Sequence, residues 1–119
     1  MKRIYTYGHE QVERNITISD IIENKKNSVK MTQVTAQNSE EAEILSDQNI
    51  DMIITGSDTY DDVRKGAPNT FITAALFAGR FVTKDEILNG AIDVAMKGAD
   101  AQLQEKLLGC MSTLSLIHI

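Results

Sequence analysis

The residues best placed for chemistry in this chain follow runs that are typical of β-strands. In folds built on parallel strands, reactive loops follow the carboxyl ends of the strands, and here those loops are residues 35–38, 55–58 and 75–81. Ser57 and Asp58, in the second loop, are the leading candidates for contact with a ligand. The alternative is that one of them only caps the next helix, because serine and aspartate side chains accept hydrogen bonds from the free N–H groups of a helix start.

The other acidic residues, the histidines and the glycines do not have the spacing of a known metal-binding, nucleotide-binding or nucleophile motif. Asp58, Asp61 and Asp62 are close together, but the glycine and the distal glutamate of a calcium-binding loop are missing. His9 and His118 have no partners at metal-ligand spacing. Glycine-rich nucleotide loops and nucleophile elbows do not occur. The acidic cluster is therefore predicted to be the solvated start of a helix.

Alternating strand and helix patterns predict the elements that position these loops. Short apolar runs predict parallel strands covered on both faces at residues 29–35, 51–55 and 70–75. Helices are predicted at residues 17–24, 38–48, 58–65 and 83–97. Strands that alternate with helices in this way indicate a parallel α/β sheet.

Capping patterns mark where two of these helices begin. Asn38 with Glu41, and Thr83 with Glu86, have the spacing of a capping box. In a capping box the first side chain accepts a hydrogen bond from a backbone N–H one turn on, and the glutamate reaches back to the cap. The last helix is predicted to bury one apolar face, formed by Ile87, Leu88, Ala91, Val94 and Ala95. Gly98 is predicted to end it.

The stretch VRKGAPNTFITAAL, residues 63–76, predicts a helix end, a sharp turn and a buried strand. Arg64 and Lys65 suit the last turn of a helix, where they offset the partial negative charge of unpaired carbonyls. Gly66 is predicted to be the left-handed cap that follows. Pro68 prevents the helix from resuming. The chain therefore reverses here from a helix into an inner strand.

This stretch is similar to one in the ketopantoate hydroxymethyltransferases (3-methyl-2-oxobutanoate hydroxymethyltransferases), which have R-x-G-A-P-N before an apolar strand. SVKMTQVTAQNSEEAEILSDQNIDMIITGSD resembles the family's first two strands with the helix between them, and TKDEILNGAIDVAMKGADA resembles its next helix. The resemblance covers residues 30–101 and implies an α/β fold, a partial (β/α)8 TIM barrel. Residues 1–101 would supply its first three or so βα units.

The resemblance implies a role in pantothenate biosynthesis. The family transfers a one-carbon unit from methylenetetrahydrofolate to 3-methyl-2-oxobutanoate, and magnesium polarises this 2-oxo acid and stabilises its enolate. TGSD resembles the family's V-G-D-S, in which the aspartate holds the metal and the serine contacts the substrate. The order is swapped here, so Ser57 and Asp58 are expected to bind substrate, and Asp58 to reach the magnesium ion.

Two further positions concern the metal. The family's second metal-binding aspartate corresponds to Ala75, whose methyl group has no oxygen atom to coordinate a cation. In the family's K-x-E-G pattern, Glu105 falls at the glutamate position, which makes it the second candidate metal ligand, while Leu103 replaces the lysine. The family's general base lies on a later strand, beyond the end of this chain. An incomplete active site without micromolar affinity for magnesium is therefore expected.

Composition narrows the class of protein and its partners. The formal charge of −5 over 119 residues argues against a nucleic-acid surface, which needs a clustered basic excess. The first residues lack an apolar signal region, and no run is long enough for a membrane span. The single cysteine, Cys110, excludes an internal disulfide and fits a reducing compartment. A cytoplasmic protein without nucleic-acid or membrane partners is expected.

The region after residue 101 departs from the pattern of the barrel. Residues 102–108, QLQEKLL, are polar where a fourth buried strand would be apolar, and the last ten residues follow no helix or strand pattern. Residues 102–119 are therefore predicted to be an irregular or helical tail, from a truncation or a frame artefact, and the sheet to lack its fourth strand. An open apolar sheet favours self-association as a homo-oligomer. The alternative function is a non-catalytic remnant, a small-molecule-binding or oligomerising α/β module.

Overall fold

A computed structural model describes residues 1–76, 83–105 and 114–118 of the chain. Within these residues the strands are β1 (Lys2–Tyr5), β2 (Gln11–Arg14), β3 (Gln33–Thr35), β4 (Met52–Gly56), β5 (Phe71–Leu76), β6 (Ala101–Glu105) and β7 (Leu114–His118). The helices are α1 (Ile18–Lys26), α2 (Ser39–Asp47), α3 (Tyr60–Gly66) and α4 (Lys84–Met96). The fold is mixed α/β, as predicted.

The strands form an antiparallel hairpin and a larger sheet. β1 pairs with β2 in the hairpin, and the five-stranded sheet has the order β3-β4-β5-β6-β7. β3 to β6 are parallel, and β7 is antiparallel to β6. Each parallel connection passes through one helix, α2, α3 or α4. The four parallel strands therefore lie side by side in the order of the sequence.

The core lies between one face of this sheet and the helices. It contains Ile53, Ile72 and Ala74 from the sheet and Ala42, Val63 and Val94 from α2, α3 and α4. Side chains alternate along a strand, so Thr73 and Ala75 lie on the opposite face. Helices α2, α3 and α4 therefore cover the same face of the sheet.

The predicted caps at Asn38 and Thr83 are confirmed. The Asn38 side chain accepts from the Glu41 N–H at 2.9 Å, and the Thr83 hydroxyl accepts from the Glu86 N–H at 3.2 Å. The Glu41 carboxylate reaches back to the N–H of Gln37, one residue earlier than a capping box requires. The chain then leaves α4 through Gly98, whose φ is 103°. Glycine is favoured at this position because it adopts positive φ values without steric cost.

Gly66 has a different role from the predicted one. It is the last residue of α3, and its φ is not in the left-handed region; the cap position belongs to Ala67. A Cβ atom at position 66 would instead collide with the backbone carbonyl of Ser39, at the start of α2. The glycine is therefore needed because the two helices approach closely, and the prediction of a left-handed cap is wrong.

The expectation of an irregular or helical tail is also wrong. Ala101–Glu105 is a fourth parallel strand, and Leu114–His118 is a further strand that pairs with it. Gln102 fits between sheet and helix because its Nε2 donates a hydrogen bond to the Ala91 carbonyl of α4. The remaining tail residues, 106–113 and 119, lie outside the described residues.

Smaller differences concern the first elements. β3 is confined to Gln33–Thr35, whereas the pattern predicted a strand from residue 29. α1 begins after Thr17, as expected, but no residue of α1 is fully buried and Ile22 is exposed. Leu88 of α4 is exposed as well, although it was placed on the buried face. Hydrophobic spacing showed that these helices have apolar residues, but it could not show which face of each helix packs against the rest of the protein.

Candidate functional site

Ser57 and Asp58 lie where the sequence placed them, directly after β4 at the carboxyl-terminal edge of the sheet. The backbone N–H of Ser57 donates to the Ala75 carbonyl at 2.9 Å, which extends the pairing of β4 with β5 by one bond. Ser57 is half-buried and Asp58 is exposed. The loop is therefore anchored to the neighbouring strand at Ser57 and open to solvent at Asp58.

The helix after this loop begins at a different residue from either candidate. The N-cap position of α3 belongs to Thr59, whose hydroxyl donates to the Gly56 carbonyl at 3.2 Å and forms a short hydrogen bond with the Thr55 hydroxyl. These bonds close the turn from β4 into α3. Ser57 and Asp58 stand within that turn, at the end of the sheet where ligands bind in parallel α/β folds.

Glu105 ends β6 at the same edge, but two strands away from Asp58. The register pairs Gly56 with Ala75 and Ala75 with Leu103. Two interstrand spacings, about 10 Å, therefore separate the backbones of β4 and β6. Ala75 lies on the strand between them.

The strand between β4 and β6 contributes no metal ligand at this edge. Magnesium needs several oxygen ligands close together, and Ala75, at the position of the family's second metal-binding aspartate, provides none. Among the residues whose side chains the structure describes, no three histidine, cysteine, aspartate or glutamate residues are grouped closely enough to hold a metal ion. The edge can present the Ser57 hydroxyl to a ligand.

A much denser polar cluster lies at the opposite, amino-terminal edge, around Asp100. Arg14 Nε contacts both carboxylate oxygens, at 2.8 and 2.9 Å, and Arg64 Nη2 contacts Oδ2 at 2.9 Å. The backbone N–H of Ile72 also donates to Oδ2, at 3.0 Å. The side chains of Arg14 and Asp100 are only 3% and 4% exposed. Asp100 therefore joins the hairpin, α3 and the start of β5 to the start of β6.

Two arginines surround one carboxylate because carbonyl groups take up the remaining N–H groups. Gly98, just after α4, accepts from Arg14 at 3.1 Å and from Arg64 at 3.2 Å. Arg64 Nη1 also donates to the carbonyl of Ala67, at the end of α3, at 3.2 Å. Helix ends carry partial negative charge, which favours cations there. The excess positive charge of the cluster is thus placed at the ends of α3 and α4.

Tyr60 extends this cluster into the helical core. Its hydroxyl accepts from Arg64 Nε at 2.8 Å, and the Arg64 guanidinium lies 5.4 Å from the centre of the ring. Burial raises the pKa of the Tyr60 hydroxyl above its ordinary value, and the nearby Arg64 charge opposes part of that change. Tyr60 therefore stays protonated while it accepts a hydrogen bond from the arginine.

Asn15 makes a second connection at the same edge. Its Nδ2 donates to the Asp51 carbonyl at 2.9 Å, and its Oδ1 accepts from the Phe71 N–H at 2.9 Å. One side chain thus bridges the chain entering β4 and the first residue of β5. The hairpin that precedes the sheet is held to it by both Arg14 and Asn15.

Sequence reasoning missed the Asp100 cluster. Arg64 was assigned only to the end of a helix, and Arg14 and Asp100 were assigned no role. The only signal was a charged residue in the otherwise apolar G-A-D-A run before β6. An acid at the start of a buried strand needs a partner, but 86 positions separate Asp100 from Arg14.

Comparison of the chain with protein-family models, with curated proteins and with solved structures gives no match. None of the helices in the described residues has both the length and the apolar character needed to cross a bilayer.

Proposed function

We propose that the chain contains the opening βα units of a ketopantoate hydroxymethyltransferase-like (β/α)8 barrel, and that its carboxyl-terminal sheet edge binds a small 2-oxo acid. The order of the parallel strands is the observation that supports this most. β3 to β6 lie side by side in sequence order, and α2 to α4 cover one face. In a (β/α)8 barrel each strand lies beside the next, whereas in a doubly wound sheet the order reverses and helices cover both faces.

The proposed ligand contact is the Ser57 hydroxyl. It lies in the β4–α3 turn, which the sheet holds through the bond from Ser57 to Ala75. A hydroxyl can donate to a carboxylate or a keto oxygen. Asp58, the neighbouring candidate, is exposed in the same turn. With one hydroxyl as the proposed contact, binding is expected to be weak and to depend on Ser57.

The proposal concerns binding rather than turnover. The one-carbon transfer from methylenetetrahydrofolate that the resemblance implies needs a general base, which the family carries on a later strand. It also uses a metal site that the described side chains here do not fit. Glu105 has no part in the proposed contact.

Calorimetric titration with 3-methyl-2-oxobutanoate tests this proposal. Ser57→Ala should weaken binding by about tenfold, the loss of one hydrogen bond at roughly 1.4 kcal/mol. Ser46→Ala on α2 is the matched control, since its hydroxyl only donates to the Glu43 carbonyl of its own helix. Equal affinity in the Ser57 and Ser46 variants would refute the contact.

Added magnesium tests Asp58 as a metal ligand. Because Ala75 replaces the family's second metal-binding aspartate, magnesium at micromolar concentration is expected to change nothing. If magnesium strengthens binding in the unchanged chain and Asp58→Asn removes that gain, then Asp58 is a metal ligand and this expectation is wrong.

A self-associating α/β module is the second candidate function, favoured by the outer side of α4. Leu88, Ile92 and Met96 are four residues apart and are 58%, 43% and 55% exposed. Spacing of this kind aligns side chains along one helix face. Light scattering at low micromolar concentration tests it: a dimer that Ile92→Glu converts to a monomer supports association through this stripe, and a monomeric unchanged chain excludes it.

A further inference from the structure

A cavity of about 220 Å³ lies at the amino-terminal edge of the sheet, beside the Asp100 cluster. Four segments form its walls: the end of β1 with the turn after it, the entry into α1, the first residue of β5, and the residues just before β6. It is at the opposite end of the sheet from Ser57. A ligand here would therefore be independent of the proposed 2-oxo acid site.

The walls of the cavity are mainly aliphatic and aromatic. Ile4, Ile16, Ile18 and the buried ring of Phe71 line it, and two tyrosine side chains stand beside them. These are Tyr5 and Tyr7, which are 73% and 53% exposed. Isolated exposed tyrosines are ordinary on protein surfaces, but two beside one apolar cavity provide ring faces on which a flat molecule can pack.

The cavity offers a charged ligand no direct partner. Asp100 is the only charged residue among those that line it. Both of its carboxylate oxygens are already bonded, Oδ1 to Arg14 and Oδ2 to Arg14, Arg64 and the Ile72 N–H. A cationic ligand would therefore find no available carboxylate and would approach the excess positive charge of the two arginines. Those arginines do not line the cavity and already donate to carbonyl groups, so an anion would make no direct contact with them. The cavity suits a neutral molecule.

Hydroxyl groups provide the remaining polarity. The Thr17 hydroxyl is engaged in the cap of α1, where it accepts from the Asp20 N–H at 3.3 Å and donates to the Asp20 carboxylate at 3.2 Å. Within the described part of the chain, the hydroxyls of Ser19, Tyr5 and Tyr7 have no hydrogen-bond partner. A ligand with one polar group could therefore use a hydroxyl beside it.

We propose that this cavity binds a neutral planar aromatic molecule, of the size of indole, with its ring against Phe71 and the isoleucines. The volume is compatible with this size: an enclosed apolar cavity of about 150 Å³ in another protein accepts benzene, and this half-open site of about 220 Å³ has space for two fused rings. Tyr7 packs against the bound ring at the rim, and the hydroxyls contact its polar atom.

Nuclear magnetic resonance titration with three compounds that share one ring tests the ligand class. Indole is neutral, indole-3-acetate is an anion and tryptamine is a cation. Indole should shift the backbone amide signals of Thr6, Ile18 and Phe71, and the two charged compounds should bind at least tenfold more weakly. Equal binding of all three would overturn the neutral class, and absence of shifts at these amides would overturn the site.

Two variants and a control connect the binding to the cavity. Tyr7→Ala should weaken indole binding by about fivefold, since one ring contact contributes roughly 1 kcal/mol. Ile44→Ala is the matched control, because Ile44 is 61% exposed on α2 and lies outside the cavity. Ser19→Trp places a ring at the mouth and should abolish binding. If either cavity variant binds indole as the control does, the proposal is wrong.

Discussion

The two ends of the parallel sheet are built in different ways. At the amino-terminal end, Asp100 accepts from two arginines and a backbone N–H, and the same arginines reach the ends of α3 and α4. At the carboxyl-terminal end, the Thr59 hydroxyl bonds residues close in sequence, Thr55 and Gly56, and only the Ser57 N–H reaches the next strand among the described contacts of this turn. Ser57 and Asp58, the residues with a possible chemical role, lie at this second end.

The difference concerns how the described residues fix each edge of the sheet. A buried carboxylate with two arginines holds one geometry, because leaving any member unpaired in the interior has a large free-energy cost. In the β4–α3 turn, the described hydrogen bonds leave the Ser57 hydroxyl without a partner. In βα barrels the amino-terminal face serves stability and the carboxyl-terminal face serves function. The Asp100 cluster gives the amino-terminal edge of this chain the first of these roles.

Removing the Asp100 carboxylate is the strongest test of this division. Asp100→Ala should lower the free energy of unfolding by about 3–5 kcal/mol, because two largely buried guanidinium groups lose their counter-charge. Gln37→Ala, a change just after β3 at the other end, should change it by less than about 0.5 kcal/mol, as expected for an exposed side chain. Urea unfolding of both variants measures the contrast. Similar losses in the two would show that the ends are equally constrained.

The carboxyl-terminal end should instead depend on apolar packing. Ile87, in the first half of α4, is 4% exposed, while its neighbour Leu88 is 58% exposed. Ile87→Ala should cost about 2–5 kcal/mol through the lost burial and the space left behind, and Leu88→Ala less than about 0.5 kcal/mol. Denaturant midpoints of the two variants check this prediction. A large loss in Leu88→Ala would indicate that an association covers this side of α4.

Features set by local chemistry were predictable from the sequence. Thr83 and Glu86 are three residues apart. At a helix start, this spacing alone places the Thr83 hydroxyl where it accepts a hydrogen bond from the Glu86 N–H. The same holds for Asn38 with Glu41. The apolar runs of β4 and β5 also predicted those strands, and the alternation of strands with helices predicted the α/β class. The likeness to a barrel enzyme, and the roles of Ser57 and Asp58, remain proposals.

Features that join distant segments were not predictable in this way. β6 was rejected as a strand because residues 102–108 are rich in polar side chains. No sequence pattern could show that the Ala91 carbonyl would accept a hydrogen bond from the Gln102 amide. The bond between Arg14 and Asp100 spans 86 positions, so it depends on the complete fold. Gly66 was assigned to a turn because the residue that approaches it, Ser39 of α2, is distant in the sequence. In each case a tertiary contact determined the role of the residue.

The cap of α4 gives a smaller test at the carboxyl-terminal end. Thr83→Ala removes the hydroxyl that accepts from the Glu86 N–H, and should lower the free energy of unfolding by about 1 kcal/mol. Thr83→Ser is the control, because serine caps helices equally well and should retain nearly all of the stability. An unchanged denaturant midpoint in the alanine variant would mean that the helix start is satisfied by another group.

The last prediction concerns alkaline pH, where Tyr60 should make the amino-terminal end sensitive. Burial raises the pKa of Tyr60 above the ordinary value of 10.0. Because the folded chain holds this proton more tightly than the unfolded chain does, the stabilisation is complete below pH 10.0 and declines as the pH rises through the higher folded pKa. Other groups titrate in this range, so the contribution of Tyr60 is the difference between the unchanged chain and Tyr60→Phe. Urea unfolding between about pH 9 and 11 should show a shallower decline in Tyr60→Phe, whereas Tyr5→Phe, at an exposed ring, should retain the original slope. Equal slopes in all three proteins would mean that the Tyr60 hydroxyl reaches solvent, and that the amino-terminal cluster opens more readily than its hydrogen bonds indicate.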